Sequence, residues 1–373
     1  MKSGWQKNRL GEVSDIVMGQ SPDGSSYNTT GDGVPLINGP VEFSEESFGP
    51  TVRSKFTTEP TKFCKKGDLI LCVRGSTTGR MNIAGFDACI GRGVASIRAH
   101  QFQPWINHFI ASQREVIHGK GTGATFPNVS GETLASLELL MPPLPEQKRI
   151  VGILDEAFAG IAIAKANAEK NLHNARAIFE SHLESVFTQR GPGWEVKTLE
   201  RCCEQIFAGG DVPKDRFSLE RTEKYTIPIY SNGEKRDGLY GFTDVARVIK
   251  PSITVSARGT LGFTLIRIEP FFPVIRLIVL VPDERLLTLS FLYYSVIGMD
   301  FGNTGTSIPQ LTVPNFKESK VCVPALLVQR AIAAKLDSLR QDTQSLERVY
   351  ERKLAALDAL KNSLLDEAFT GQL

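Results

Sequence analysis

Two stretches of this chain open on proline and then carry apolar side chains at alternating three- and four-residue steps, and they lie a fixed 182 residues apart. The first begins Pro142-Pro143-Leu144-Pro145-Glu146-Gln147 and continues through Val151, Leu154, Phe158, Ile161, Ala168, Leu172, Ala175, Phe179 and Val186. That is heptad spacing on one helix face. Pro145 suits a first helical turn, where its missing N–H costs nothing, and Glu146 complements the positive end of the helix dipole. With no proline before Pro192, the pattern predicts a helix on the order of 65 Å long at about 1.5 Å per residue. Helices inside ordinary domains are far shorter. The second stretch starts at Pro324 and carries Ile332, Leu336, Leu339, Leu346, Tyr350, Leu354, Leu357 and Leu364. In the same register Gln147 aligns with Gln329, Leu154-Asp155 with Leu336-Asp337, Leu183 with Leu365, and Phe187-Thr188 with Phe369-Thr370. A repeat of this kind restricts the chain to a duplicated fold.

The repeat includes the regions before each helix. Gly4-Trp5-Gln6 with Leu10 is matched by Gly193-Trp194-Glu195 with Leu199, at an offset of 189. The expected division is a globular unit over 1–141, a helix over 142–190, a second globular unit over 191–324 and a second helix over 325–373. Short apolar segments punctuated by Gly, Pro and Asn, with a few helices, give each globular unit an α+β texture. Charge is nearly balanced: 14 Lys/Arg against 13 Asp/Glu in the first unit, 16 against 15 in the second, and neutrality in both helices. A lone DNA-binding domain is usually strongly basic, so any DNA role needs local patches or a partner that brings charge. The opening Met-Lys-Ser-Gly-Trp lacks the apolar core of a signal peptide, and the apolar run over 274–281 is broken by Arg276. A cytoplasmic protein without membrane contact is expected. Cys64, Cys72, Cys89, Cys202, Cys203 and Cys322 show no metal-ligand spacing and read as thiols in a reducing compartment.

Three motifs occur in both globular units. Val34-Pro35-Leu36-Ile37-Asn38-Gly39 is matched by Ile227-Pro228-Ile229-Tyr230-Ser231-Asn232-Gly233, and Asn-Gly after an apolar run is a turn signal that needs no function of its own. Lys66-Gly67-Asp68-Leu69-Ile70-Leu71-Cys72-Val73-Arg74-Gly75-Ser76 is matched by Lys250-Pro251-Ser252-Ile253-Thr254-Val255-Ser256-Ala257-Arg258-Gly259-Thr260. Each reads as a buried strand ending in Arg-Gly-hydroxyl, with Gly79 and Gly262 closing the loop. A guanidinium and exposed N–H groups at a strand end suit phosphate or base-edge contact; an arginine paired to a nearby carboxylate would need no such role. The third motif, over 118–128 and 300–310, interleaves glycines with hydroxyl and amide side chains, which suits close approach to a polyanion. It is not a nucleotide loop, since Lys120 is followed by Gly121 rather than Ser or Thr.

Taken together, these residues make the chain resemble the specificity subunit of a type I restriction-modification system from Gly4 to Leu373. The resemblance rests on Pro142-Pro143-Leu144-Pro145-Glu146-Gln147-Lys148-Arg149-Ile150-Val151, on Gly67-Asp68-Leu69-Ile70 with Arg74-Gly75, and on the tail Leu364-Leu365-Asp366-Glu367-Ala368-Phe369-Thr370-Gly371-Gln372-Leu373. Pro251-Ser252 departs from the usual Gly-Asp, and Leu326-Leu327-Val328 from the usual Leu-Pro-Glu. The resemblance implies two target-recognition domains alternating with two long helices that pair as an antiparallel coiled coil. Each domain would read half of a bipartite, asymmetric target in double-stranded DNA. It also implies partners, namely two modification (methyltransferase) subunits and restriction subunits, with S-adenosylmethionine and ATP bound on them and no cofactor or catalysis in this chain.

The DNA contacts expected in the first unit are Arg74, Ser76, Thr77, Lys120, Thr122, Thr125 and Asn128. Those in the second are Asn232, Lys235, Arg236, Arg258, Thr260, Thr304, Thr306, Ser307 and Gln310. Arg, Asn and Gln can make bidentate base contacts, whereas hydroxyls more often position phosphate. The expected spacer core is Leu154, Phe158, Ile161, Leu172 and Phe179 against Leu336, Leu339, Leu346, Tyr350 and Leu357. A methyltransferase is disfavoured, because the sole Pro-Pro pair, Met141-Pro142-Pro143-Leu144, lacks the polar and aromatic partners of that motif. The other reading is a non-catalytic coiled-coil scaffold with two β-rich protein- or carbohydrate-binding modules. It leaves the paired Arg-Gly turns as coincidence.

Overall fold

The computed structural model describes residues 4–46, 48–119, 128–189, 191–299 and 311–373. They fall into two compact units, Met1–Ala168 with Arg352–Leu373, and Glu169–Glu351. Four helices organise them: α1 Gln103–Ser112, α2 Leu144–Thr188, α3 Leu289–Ile297 and α4 Leu326–Thr370. The long pair, α2 and α4, are each 45 residues.

In the first unit, β1 Ser14–Met18, β2 Leu69–Cys72, β3 Met81–Ile83 and β4 Val94–Ala99 form an antiparallel sheet ordered β1-β4-β2-β3. The Leu-Ile-Leu-Cys run of β2 is buried throughout, so both faces of this central strand are covered and no polar alternation appears. The second unit repeats the arrangement. There β5 Cys203–Ala208, β6 Ser252–Val255, β7 Thr264–Arg267 and β8 Ile278–Pro282 are ordered β5-β8-β6-β7. A smaller mixed sheet accompanies each, with one parallel pairing: Leu36 with Cys89 in the first, Ile229 with Phe272 in the second. The opening strand of each unit pairs antiparallel with the strand that feeds its helix, Gln6–Arg9 with Glu138–Met141 and Glu195–Thr198 with Lys320–Val323.

Each long helix is then started by a buried glutamine. Gln147 Nε2 donates to the Pro142 carbonyl at 2.8 Å and Gln329 Nε2 to the Pro324 carbonyl at 2.8 Å. The second helix therefore begins normally despite its Leu326-Leu327-Val328, because the glutamine rather than the proline is the shared anchor. Within the first unit the start of α2 packs on the end of α4. Leu154 and Leu365 share one core, the Lys361 ammonium lies 5.1 Å over the Phe158 ring, and Lys165 pairs with Asp358 at 2.7 Å. Within the second, the end of α2 packs on the start of α4: Arg176 pairs with Glu347 and Glu351, Arg340 covers Phe179, and Leu183 shares a core with Leu336. Rising numbers meet falling ones in both, so the packing is antiparallel in each unit.

Leu154, Ile161 and Leu336 are buried, while Phe158, Leu172, Phe179, Leu339, Tyr350 and Leu357 are half-buried. Leu346 is not a seam residue. It is 42% exposed while Thr343 is 3% exposed, because the buried stripe steps through Leu336, Thr343 and Tyr350 and leaves Leu346 on its flank. A seven-residue step from Leu339 reaches Leu346, whereas the same step from Leu336 reaches Thr343 and then Tyr350, and a small polar threonine hides that stripe from a count of apolar residues.

Each globular part is fastened to its helices by aromatic packing at matched positions. Trp105 of α1 lies 6.2 Å from Trp5 and 4.6 Å from Phe369. Phe291 of α3 lies 6.0 Å from Trp194 and 5.5 Å from Phe187. The aligned aspartates each receive a polar partner from the short helix of their own unit, His108 Nε2 of α1 at 2.8 Å from Asp155 and the Tyr294 hydroxyl of α3 donating at 2.5 Å to Asp337. Burial holds His108 below the ordinary imidazole pKa, with Asp155 acting in the opposite direction.

Candidate nucleic-acid interface

The second repeated motif forms a β-hairpin whose loop stands at one end of the antiparallel sheet. Beyond the Leu71–Met81 pair, Cys72 N–H donates to the Arg80 carbonyl at 2.8 Å and Gly79 N–H to the Cys72 carbonyl at 2.9 Å. Gly75 and Gly79 have φ of 82° and 87°, a left-handed backbone that favours glycine. The turn exposes Arg74 and Ser76, leaves Thr77 half-buried, and turns Thr78 inward, where its Oγ1 donates to the Gly75 carbonyl at 2.8 Å. In the second unit the same closure is made by Ser256 N–H to the Phe263 carbonyl and Gly262 N–H to the Ser256 carbonyl, both 2.9 Å. Gly259 and Gly262 again have positive φ, and Arg258 and Thr260 are exposed.

A third segment reaches both strand ends. Val129 N–H donates to the Val73 carbonyl at 2.9 Å, and Leu311 N–H to the Ala257 carbonyl at 3.2 Å. This sets Asn128 across an isolated bridge from Arg74, so two expected contacts of the first unit are brought together. Lys120, Thr122, Thr125, Thr304, Thr306, Ser307 and Gln310 lie outside the described residues. Among the described residues no carboxylate lies within ion-pairing distance of Arg74.

Asn232 stands at the second sheet end but turns inward. Its Oδ1 accepts from Ala257 N–H at 2.8 Å and its Nδ2 donates to the Ile275 carbonyl at 2.5 Å, so both ends of the amide are held by backbone. Lys235 and Arg236 are exposed in the turn Lys235–Gly238, where Arg236 and Asp237 have φ of 53° and 56°. Two exposed arginines outside every sequence motif complete the picture. Arg92 and Arg276 occupy the turns that enter β4 and β8. Arg276 left a trace in the sequence as the one charge inside an apolar run, while Arg92, between Gly91 and Gly93, left none.

Among the described residues, no side chain at either sheet end is arranged for bond-breaking chemistry. Burial pushes the thiol of Cys72, beneath the first loop, up to about 11, far from the nucleophilic range. All six cysteines are free. Among the described residues no group of three or more His, Cys, Asp or Glu is placed to hold a metal, and no helix is long and apolar enough to cross a membrane.

Comparison with known proteins gives the same direction. The family described as "Type I restriction modification DNA specificity domain" matches residues 2–173 and again 192–354, one match per repeat. A Mycoplasma pneumoniae protein named as type I specificity subunit S.MpnORF507P is 30% identical over 256 residues, 68% of this chain and 69% of that protein. The crystal structure of the HsdS subunit from Thermoanaerobacter tengcongensis shares the fold at a TM-score of 0.62 and 20% identity, covering 100% of this chain and 98% of the other. A chain from a structure addressing "complex assembly" and "conformational transition of the type I R-M system" aligns at a TM-score of 0.84 and 19% identity, covering 100% and 99%. The chain belongs to the type I restriction-modification DNA specificity subunits, the non-catalytic component that recognises DNA while partner subunits carry out the catalysis.

Proposed function

We propose that the two globular parts, residues 1–141 and 191–324, read two unlike halves of a split DNA sequence, and that the helices over 142–190 and 325–373 set the gap between them. The observation that carries this reading is the duplicated strand end, an exposed Arg-Gly-hydroxyl turn in each unit on the same backbone frame. Because the loops differ in sequence, the half-sites differ, and the target is asymmetric. Two half-sites must be held at a spacing matched to the DNA repeat of about 34 Å per turn. Stiff paired helices do this, whereas a flexible linker accepts many spacings.

Arg74, Asn128, Arg258, Lys235 and Arg236 are the described candidates for base or phosphate contact, with Ser76, Thr77 and Thr260 positioning the backbone. The partners are two modification subunits docked on the helices, and restriction subunits beyond them. S-adenosylmethionine and ATP belong to those partners, and the assembly works in the cytoplasm. The partners also supply positive charge that the balanced composition of this chain lacks. A protein- or carbohydrate-binding scaffold is not favoured, since it leaves the family's DNA recognition without a reader.

Two experiments test the division of labour. Arg258→Ala should weaken binding of the assembled complex to its target by about 1–3 kcal/mol and relax preference in one half-site. Loss spread evenly over all sequences would make Arg258 a phosphate contact instead. Inserting one heptad into both α2 and α4 should shift the preferred gap between half-sites while leaving each half-site sequence intact. An unchanged gap removes the ruler role.

A further inference from the structure

The sheet end of each unit carries a second arginine that no sequence motif includes. Val73 N–H donates to the Gly93 carbonyl at 2.9 Å, and Cys72 pairs with Val94 in the ladder. Arg74 follows Val73 and Arg92 precedes Gly93, so the two arginines flank this last bond. In the second unit Val255 pairs with Ile278, and the turns just beyond that pair carry Arg258 on one strand and Arg276 on the other. Arg74, Arg92 and Arg276 are exposed, and among the described residues none of their guanidinium groups has an ion-pair or hydrogen-bond partner, while the Arg92 backbone N–H donates to Ser21 Oγ at 3.1 Å. By contrast Arg98, Arg149, Arg216 and Arg285 are each tied to a carboxylate.

The two turns present their arginines differently. In the first unit Arg92 follows Gly91 in a turn closed by Val94 N–H to the Gly91 carbonyl at 3.1 Å. In the second the matching turn, closed by Leu277 N–H to the Val274 carbonyl at 3.1 Å, puts Ile275 and Arg276 at φ of 51° and 60°. Left-handed backbone at a β-branched residue is costly and persists only where its surroundings hold it. Here they do. Ile275 N–H donates to Gly210 and Arg276 N–H to Gly209, while Asn232 reaches across from Ala257 N–H to the Ile275 carbonyl. The Asn232 amide thus replaces the direct Val73–Gly93 ladder bond of the first unit, bracketing the Arg258 turn and the Arg276 turn together. Ile275 is 47% exposed, so the strained turn offers an apolar side chain next to a guanidinium.

We infer that Arg92 and Arg276 are specificity-determining contacts, each reading DNA beside the strand-end arginine of its own unit, and that Asn232 is the positioning residue for the second pair. The chemistry fits major-groove edges: arginine for guanine O6 and N7, and the exposed isoleucine for a thymine methyl. The inference rests on the reading that each unit recognises one half-site, and it adds which second loop does so.

The test is selection from a duplex library, randomised at both half-sites, by the full chain assembled with its modification subunits. Arg276→Ala should lower discrimination about ten- to a hundredfold at one or two positions of one half-site and leave the other unchanged. Arg92→Ala should do the same in the other half-site. Asn232→Asp keeps the acceptor for Ala257 but loses the donor to Ile275, so it should blur the same positions as Arg276→Ala, with no further loss in the double variant. A mere folding defect would instead lower binding to all sequences together. If the unaltered complex selects a split sequence but both arginine variants keep its full preference, or lose affinity evenly for every sequence, the assignment falls and the half-site reading survives. If the unaltered complex selects no split sequence, the half-site reading falls first.

Discussion

Deletion of residues 364–373 is expected to unfold the first unit, even though these residues end a helix that begins some distance away in sequence. Leu365 and Ala368 are 4% and 0% exposed in the core built on Trp5, Trp105 and Phe109, with Leu364, Phe369 and Leu373 packed against it. Phe369 stands 4.6 Å from Trp105 and 5.6 Å from Phe109. Losing a buried Leu costs about 2–5 kcal/mol and a buried Phe about 3–5, and the deletion removes several such side chains at once. The sum exceeds much of the roughly 5–15 kcal/mol that holds an ordinary domain together. Hydrogen exchange should show protection lost in Gln103–Ser112 and retained in Leu289–Ile297, whose own aromatic clamp uses Phe187 and Trp194. Unchanged protection in Gln103–Ser112 would mean that the packing of Phe369 contributes little.

The duplication and the helices were legible because they depend on spacing along one element. Heptad positions report a helix face directly, and Pro145 with Glu146 marks the start of the first long helix, whereas the anchoring role of the aligned glutamines appears only in their bonds to the Pro142 and Pro324 carbonyls. The strands were legible as short apolar runs, and the Asn232-Gly233 turn as a turn. What the sequence hides is what register creates. Asn232 reads in sequence as a DNA contact, and only the placement of Ala257 and Ile275 on either side of it shows that its amide is a bracket. Arg92 comes to the strand end through the pairing of Cys72 with Val94, a contact between segments with no local signature. Leu346 fails for the opposite reason. Its spacing is right, but a polar residue, Thr343, takes the buried stripe.

The Gly-Asp that the second unit replaces by Pro251-Ser252 shows how register also decides stability. Asp68 is 2% exposed, yet it accepts from Lys65 N–H at 2.8 Å, Ser96 Oγ at 2.7 Å and both Arg98 nitrogens at 2.7 and 2.8 Å. Among the described residues the second unit has no such network at Ser252, whose Oγ is buried without a hydrogen-bond partner. By strand register the places of Ser96 and Arg98 belong there to Val279 and Val281, both buried, so the β8 side of Ser252 is apolar, while across β7 it stands opposite Arg267, whose guanidinium is held by Thr254 Oγ1 and the Asp237 carbonyl. Asp68→Ala should therefore cost the first unit about 3 kcal/mol, the low end for a broken buried pair because Arg98 is 42% exposed. Asp68→Ser combined with Ser96→Val and Arg98→Val, which copies the second unit, should recover most of that loss, since no buried charge is left behind.

Acidity gives an independent readout. Burial alone would raise the Asp68 carboxyl, but the hydrogen bonds from Arg98, Lys65 N–H and Ser96 outweigh it and hold the carboxyl below the ordinary carboxylate value. A carboxyl depressed in the folded state stabilises above its unfolded pKa and loses that contribution as pH falls through the folded value. The stability of the first unit to heat should thus weaken as the pH falls through and below the ordinary carboxylate range, and the Asp68→Ala variant should lack that part of the acid limb. If Asp68→Ala and the unaltered chain lose stability in parallel over this window, the Asp68–Arg98 network is not what acid breaks.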